Sequence, residues 1–335
     1  MSTSAGVRSG AFPVAGFALA IGSAASFALS GTFASALMSA GWSPGAAATA
    51  RITLAAVVLA IPTLIALRGM WHRVWRAKGP ILLFGLLAVA GCQLAFFMAV
   101  QFIPPSLALL IEFMGPVLLV LWTWIRSRVA PSKLTLLGAA VAVVGLVAIS
   151  GVATGQALNP IGILLALVAA VGNAAYYATG ASSDHGIPPL PFVGLGLSVG
   201  AVTLVLVSAV GVLPFTVTGA AAVIADVPLA PAVVVAGMVL VSTVLSYLLG
   251  VAAARRLGAI VSSFTGYSEA LFGIFWTIVL LGIVPSAWQW LGAALIVAGV
   301  VTVKLGEVSG ERARAAAARR LVAEHVQARG SSRTR

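Results

Sequence analysis

The sequence predicts an all-α polytopic membrane protein, with ten transmembrane helices arranged as two inverted five-helix repeats. Three observations predict it. The 335-residue chain is 61% hydrophobic and 8% charged, whereas a soluble domain carries about 25% charged residues. Its apolar runs are about 20 residues each, the length that crosses a bilayer. Its basic residues fall between alternate runs, as membrane topology requires.

Taken in order, residues 1–11 are a short cytoplasmic N-terminus. They lack the cleavage site of a signal peptide and run straight into a full-length span, so the segment is expected to be retained. The first repeat covers 12–152, with spans near 12–37, 45–67, 80–102, 105–125 and 134–152. The second covers 160–305, with spans near 160–181, 190–213, 231–254, 258–282 and 287–305. Turn chemistry separates them at Trp42-Ser43-Pro44-Gly45, Pro104-Pro105, Asn159-Pro160, Pro188-Pro189 and Pro285. Residues 214–230 form the longest outer connection and are expected to hold a short interfacial helix. Residues 306–335 are a basic cytoplasmic tail, either solvated or a helix resting on an anionic leaflet.

The charges test this map. With a cytoplasmic N-terminus, all nineteen Lys and Arg except Arg51 lie in inner loops, in the tails or at the inner end of the last span. A wrong number of spans would scatter them across both sides. The net charge of +12 therefore marks the membrane's inner face and not nucleic acid. The single cysteine, Cys92, excludes an internal disulfide.

The halves also resemble each other. A shift of 154 overlays the fourth and fifth spans on the ninth and tenth: Gly138-Ala139-Ala140 meets Gly292-Ala293-Ala294, and Gly145 meets Gly299. A shift of 150 sets Gly22, Ala24, Ala25 and Phe27 on Gly172, Ala174, Ala175 and Tyr177. Five spans is an odd number, so the second half enters the membrane upside down. That is the architecture of many secondary transporters.

Within this frame three charges lie in the spans. Glu112 stands in LALLIEFMGP, and Glu269 in SFTGYSEALFG. Arg51 is the one intramembrane cation. A charge near the bilayer centre costs about 3 kcal/mol on insertion scales, so such residues usually face a cavity or a partner. A carboxyl there can exchange a proton with a substrate. The plainer reading is that a glutamate pairs with Arg51. Arg51 in turn snorkels, binds a substrate carboxylate or holds the fold. Pro116 removes a backbone hydrogen bond and is a hinge candidate; its repeat equivalent is Ala270, so any hinge would be asymmetric. Ser26, Asn173, Tyr177, Tyr267 and Gln93 are candidates to line a cavity or to bond neighbouring helices. Ser242, Ser246 and Gly250 recur every four residues and read as a packing seam. The three histidines have no metal-ligand partner at zinc spacing. No GxSxG, HExxH or Walker motif is present. Neither a metal nor a cofactor is expected, and an enzyme is disfavoured because the spans contain no histidine and no aspartate.

The wording of several segments resembles the EamA family of the drug/metabolite transporter superfamily, over about residues 12–305. ATARITLAAVVLA is similar to the family's arginine-bearing second helix, with Arg51 in the matching place. ALLIEFMGP resembles the segment of the threonine/homoserine exporter branch in which a glutamate precedes Gly-Pro. YSEALFGIFWTIVLLG, Pro285 and GAALIVAGVV resemble the last two helices. Three positions depart from the family pattern: Ser127-Arg128-Val129 and Leu281-Gly282-Ile283 stand where many members have Leu-Gly-Glu, and Ala270 stands where many have proline. The resemblance implies a proton-coupled exporter of small polar metabolites, amino acids such as threonine or homoserine, working by alternating access in the inner or plasma membrane. Its partners would be a small-molecule substrate, protons and the lipid bilayer, with no nucleic acid. A multidrug or metabolite carrier of the same fold, for uptake or efflux, is the alternative, and an intramembrane enzyme the distant one.

Overall fold

A computed structural model describes residues 14–103, 105–150, 159–281, 287–288, 290–306 and 308–310. The first half holds α1 (Val14–Ser39), α2 (Pro44–Ala66), α3 (Trp71–Arg76), α4 (Lys78–Leu83), a π-helical segment Phe84–Gly91, α5 (Cys92–Ala99), α6 (Pro105–Glu112), α7 (Gly115–Ser127) and α8 (Lys133–Ser150). The second holds α9 (Pro160–Ala181), α10 (Pro189–Ala209), β1 (Ala222–Ile224), β2 (Val227–Leu229), α11 (Pro231–Val239), a π-helical segment Leu240–Leu245, α12 (Ser246–Leu257), α13 (Ala259–Gly266) and α14 (Ser268–Leu281). A last helix, α15, spans Trp290–Gly310.

Eight helices among the described residues are long and apolar enough to cross a membrane: α1, α2, Lys78–Ala99, Ala108–Ser127, α9, α10, Pro231–Leu257 and α15. α8 is a shorter apolar helix over Lys133–Ala148. α13 and α14 follow one another with Tyr267 between them. The predicted N-terminal segment 1–11 and the tail beyond residue 310 lie outside the described residues. So do Pro104, Pro285 and the Gly282-Ile283 part of the family comparison.

Local chemistry explains where the helices start and stop. Ser43 Oγ accepts from Ala46 N at 3.2 Å with Pro44 in the first turn. Asn159 Oδ1 accepts from Ile161 N at 2.9 Å with Pro160 next. These side chains satisfy amides that the helix itself leaves unpaired. α12 ends at Gly258, whose φ of +81° glycine tolerates without strain.

The expected interfacial helix in 214–230 is absent. Residues 222–229 form an antiparallel hairpin, with Ala222 opposite Leu229 and Ile224 opposite Val227. The two turn residues, Ala225 and Asp226, both have positive φ, as the tightest hairpin turns require. Pro228 removes a helix donor and β-branched Val223, Ile224 and Val227 suit strands. The protein is therefore nearly, not wholly, all-α.

The interior has two main cores. One gathers Ile52, Phe84, Phe192, Leu197, Met238 and Val251. The other gathers Phe113, Val120, Leu146, Phe264, Tyr267, Ile296 and Val303. The outer faces remain apolar: Ile61 is 69% exposed, Ile125 72% and Val202 61%. Such surfaces suit hydrocarbon and would be a liability in water.

Two interruptions decide where charges sit. The Glu112 helix stops before Phe113-Met114 and restarts at Gly115. The Glu269 helix is interrupted at Tyr267. The shift of 154 carries Phe113 onto Tyr267, and these two rings touch, centroids 6.1 Å apart. Pro116 follows the first interruption; Ala270 follows the second. A break thus occurs in both repeats, followed by a proline in the first and by an alanine in the second.

Candidate functional site

α1, α2, α5, α6, α9, α12, α13 and α14 surround a cavity of about 910 Å³. It is lined from Ala20, Gly250 and Ser262 to Ser39, Pro44, Val223 and Ile224. Along α1 that is about 28 Å at 1.5 Å per residue. Arg51, Glu112 and Glu269 all line it, from α2, α6 and α14.

Each charge is positioned differently. Arg51 is 5% exposed. Its Nη1 donates to Ser30 Oγ on α1, and its guanidinium carbon lies 5.3 Å from the centroid of the Phe27 ring. Its Nε has no hydrogen-bond partner. Among the described residues it forms no ion pair with either glutamate, so the direct pairing considered from the sequence is not made. All three charges nonetheless act on one another electrostatically.

Glu112 is the last residue of α6, at the interruption. Cys92 Sγ on α5 donates to its Oε1 at 3.3 Å. Asn173 on α9 lines the same cavity, with its Oδ1 unpartnered, and is wedged against the start of α7. A Cβ on Gly115 would lie 2.8 Å from Asn173 Oδ1 and 2.9 Å from its Cβ, closer than atoms pack. Glycine at 115 is what lets Asn173 pack so close to the start of α7. Glu269 lies in the first turn of α14, where a carboxylate faces the positive end of the helix dipole. Among the described residues no side chain hydrogen-bonds to it.

Of the residues singled out from sequence, Gln93, Asn173 and Tyr177 line the cavity with the three charges. Ser26 and Tyr267 are not among the lining residues. Ser26 Oγ donates back to Gly22 O at 2.7 Å. Tyr267 is packed between Phe113 and Phe264, and its hydroxyl has no partner. Pro116 is buried in the first turn of α7. Ser246 and Gly250 are at a helix contact: Ser23 Oγ donates to Ser246 O at 2.8 Å, and the Tyr176 hydroxyl lies over Gly250.

Sequence reasoning missed Cys92, Phe27 and Tyr247 as part of this wall. Tyr176, Tyr177 and Tyr247 form an edge-on aromatic cluster, with centroids 4.9 and 5.5 Å from Tyr176. Nothing in the sequence ties Cys92 to Glu112, twenty residues away on another helix. The cysteine's place next to Gln93 was the available signal.

At the end of the bundle that the sequence assigns to the outside, the α1–α2 turn is tied to the strand-bearing connection. Trp42 Nε1 donates to Thr218 O at 2.9 Å. Ser43 Oγ donates to Pro214 O at 2.7 Å and accepts from Thr216 N at 2.9 Å. The cavity therefore ends against a cross-linked rim. At the opposite end Arg73 Nη1 donates to Gly186 O at 3.0 Å, and Arg255 Nη1 to Ile187 O at 2.6 Å. Two basic connections, those of Arg73 and Arg255, thus meet the connection after α9 on one side.

With this geometry in place, comparison with other proteins is informative. The sequence matches the EamA-like transporter family over residues 14–151 and again over 160–305. A protein of Salmonella typhimurium strain LT2, described as the uncharacterized inner membrane transporter YicL, is 26% identical over 241 residues. The match covers 70% of this chain and 75% of that protein. A solved crystal structure superposes with a TM-score of 0.67 at 22% identity, covering 87% of this chain and 96% of the other. That likeness is one of fold.

Proposed function

The chain belongs to the EamA-like transporter family, and from that premise we propose that it is a secondary carrier exporting small polar metabolites, foremost amino acids such as threonine and homoserine, in exchange for protons. It is a multi-pass membrane transporter of the drug/metabolite type. The cargo, the proton coupling and the outward direction are the proposal. The observation that carries it is the cavity that joins Arg51, Glu112 and Glu269. A cargo ammonium suits the carboxylates, and a cargo carboxylate suits the open side of the guanidinium. A carboxyl in this cavity is able to hold either a proton or the cargo's cation, which is the exchange that coupling requires.

The transport cycle proposed is alternating access between two inverted halves, with both termini cytoplasmic and the protein in the inner membrane. The contacts of α8 with α15 support the inverted relation. A Cβ on Gly138 would lie 2.7 Å from Gly299 O, and one on Gly145 2.7 Å from Gly292 O. The shift of 154 makes Gly299 the counterpart of Gly145, and Gly292 that of Gly138. Reciprocal contacts of this kind are what a two-fold relation produces. The name of the Salmonella relative also favours the inner membrane.

Counterflow of labelled amino acids into liposomes holding the purified protein, with and without a pH gradient, tests the reading. Threonine counterflow that responds to the gradient, and that the double variant Glu112→Gln/Glu269→Gln loses, is expected. Full activity in the double variant would remove the site from the cavity.

A further inference from the structure

Resting on that reading of the cavity, we infer that its two carboxylates do different work: Glu269 is the exchanging group, open to a proton or to the cargo's cation, and Glu112 is a held anion positioned by Cys92. The observation is an asymmetry of partners within one cavity. Glu112 receives the Cys92 thiol at 3.3 Å. That donor comes from α5, so a second helix holds the carboxylate at the end of α6. Glu269 lines the same cavity and receives no side-chain donor among the described residues. Arg51 shares that open condition, because its buried Nε is unpartnered.

Chemistry turns this asymmetry into a division of labour. A carboxylate that already accepts a hydrogen bond from the protein weakens or loses it when it takes a proton or turns toward a cargo. A carboxylate without protein donors loses nothing of the kind, and its partner of choice is whatever the cavity brings. In the exchange, the Glu269 carboxylic acid gives its O–H proton to cavity water, and the carboxylate left behind pairs with the cargo's ammonium. Release of the cargo and return of a proton restores the acid. The groups that face Glu269 are Arg51 from α2, Cys92 from α5, Glu112 from α6, Tyr176 and Tyr177 from α9 and Tyr247 from α12. Arg51 is the one fixed cation among them. It attracts both carboxylates, and Glu112, as an anion, repels a second negative charge on Glu269. Cys92 acts through Glu112 as a positioning residue.

Two measurements on the full-length protein in phosphatidylethanolamine–phosphatidylglycerol liposomes decide this, and neither needs a cargo. Acid-minus-alkaline infrared difference spectra resolve buried carboxyls by their slow deuterium exchange. The buried band is expected to vanish in Glu269→Gln and to persist in Glu112→Gln; the reverse pattern, or loss in both, overturns the inference. Cys92 is the chain's single cysteine, so N-ethylmaleimide reports on it alone. Glu112→Gln removes the negative charge beside the thiol, which no longer opposes thiolate formation, and is expected to speed alkylation by about fivefold or more, with Glu269→Gln within about twofold of the parent protein. Equal effects of the two variants overturn the positioning role. Cys92→Ser, which keeps a donor, is expected to leave the infrared difference spectrum unchanged, whereas Cys92→Ala adds a second buried carboxyl band. Absence of threonine counterflow would sink the exporter reading while leaving both measurements free to decide this one.

Discussion

Arg51 is a buried cation without a carboxylate in direct contact. A charge at membrane depth costs about 3 kcal/mol on insertion scales. The Phe27 ring beneath it returns about 0.5–2 kcal/mol, and Ser30 takes one of its donors. Two carboxylates acting across the cavity offset part of the remainder. His185 presents the opposite case, a titratable side chain in the connection after α9. It stacks on Phe192, with ring centroids 5.4 Å apart, and its Nδ1 accepts from Ile187 N at 3.2 Å. Burial, helped by the Arg255 guanidinium, pushes its pKa below the usual 6.5; Asp184 pulls weakly the other way. Because the folded value is depressed, the stability His185 contributes is complete above pH 6.5 and is lost as pH falls through the folded value. Hydrogen exchange at the Ile187 amide should therefore accelerate, relative to neighbouring amides, as pH drops below 6.5. His185→Ala should abolish that pH dependence, and constant protection across the window would exclude the contribution.

At the scale of elements, the α8–α15 contact is the tightest test of the packing. Gly138 and Gly145 lie against Gly292, Gly299 and Val303 with backbone atoms where a side chain would stand. Small residues are what allow such approach between membrane helices. Gly145→Val should destabilise the fold by about 1–3 kcal/mol, as overpacking does, read as a lower melting temperature in detergent. A variant at Gly31, where a Cβ would meet nothing within 4 Å, should melt like the parent. The glycines of α8 and α15 were legible in sequence as a repeat shared by the two halves and not as a contact, because spacing survives in one dimension and packing does not. The interruption at Glu112 was legible through Pro116. Its counterpart at Tyr267 was not, since no proline marks it and only packing against Phe113 places it. The hairpin at 222–229 was misread because a short apolar stretch in a connection fits helix and strand alike until the positive φ angles of Ala225 and Asp226 are seen.

For the whole molecule, the sequence spoke most clearly through its charges. Arg73, Arg126, Arg255 and their neighbours could be assigned to one face from position alone, because the bilayer sorts basic residues by side. The cavity wall was less legible. Arg51, Glu112 and Glu269 stand out as charges in apolar runs, whereas Phe27, Tyr176 and Tyr247 look like any buried aromatic until helices from both halves are assembled. The orientation proposed is open to direct measurement. In a Cys92→Ala background, Asp226→Cys in the hairpin should react with a membrane-impermeant maleimide on intact cells, and Ser183→Cys should react only after lysis. The reverse pattern would invert the topology. The size of the cavity has a consequence of its own. At about 30 Å³ per molecule of liquid, 910 Å³ accommodates roughly thirty waters, several times the bulk of a threonine. Closing around such a cargo means expelling a packet of solvent much larger than the cargo itself. Each turnover is then also a small act of osmotic work, done against whatever solutes crowd the far side of the membrane and are too large to enter.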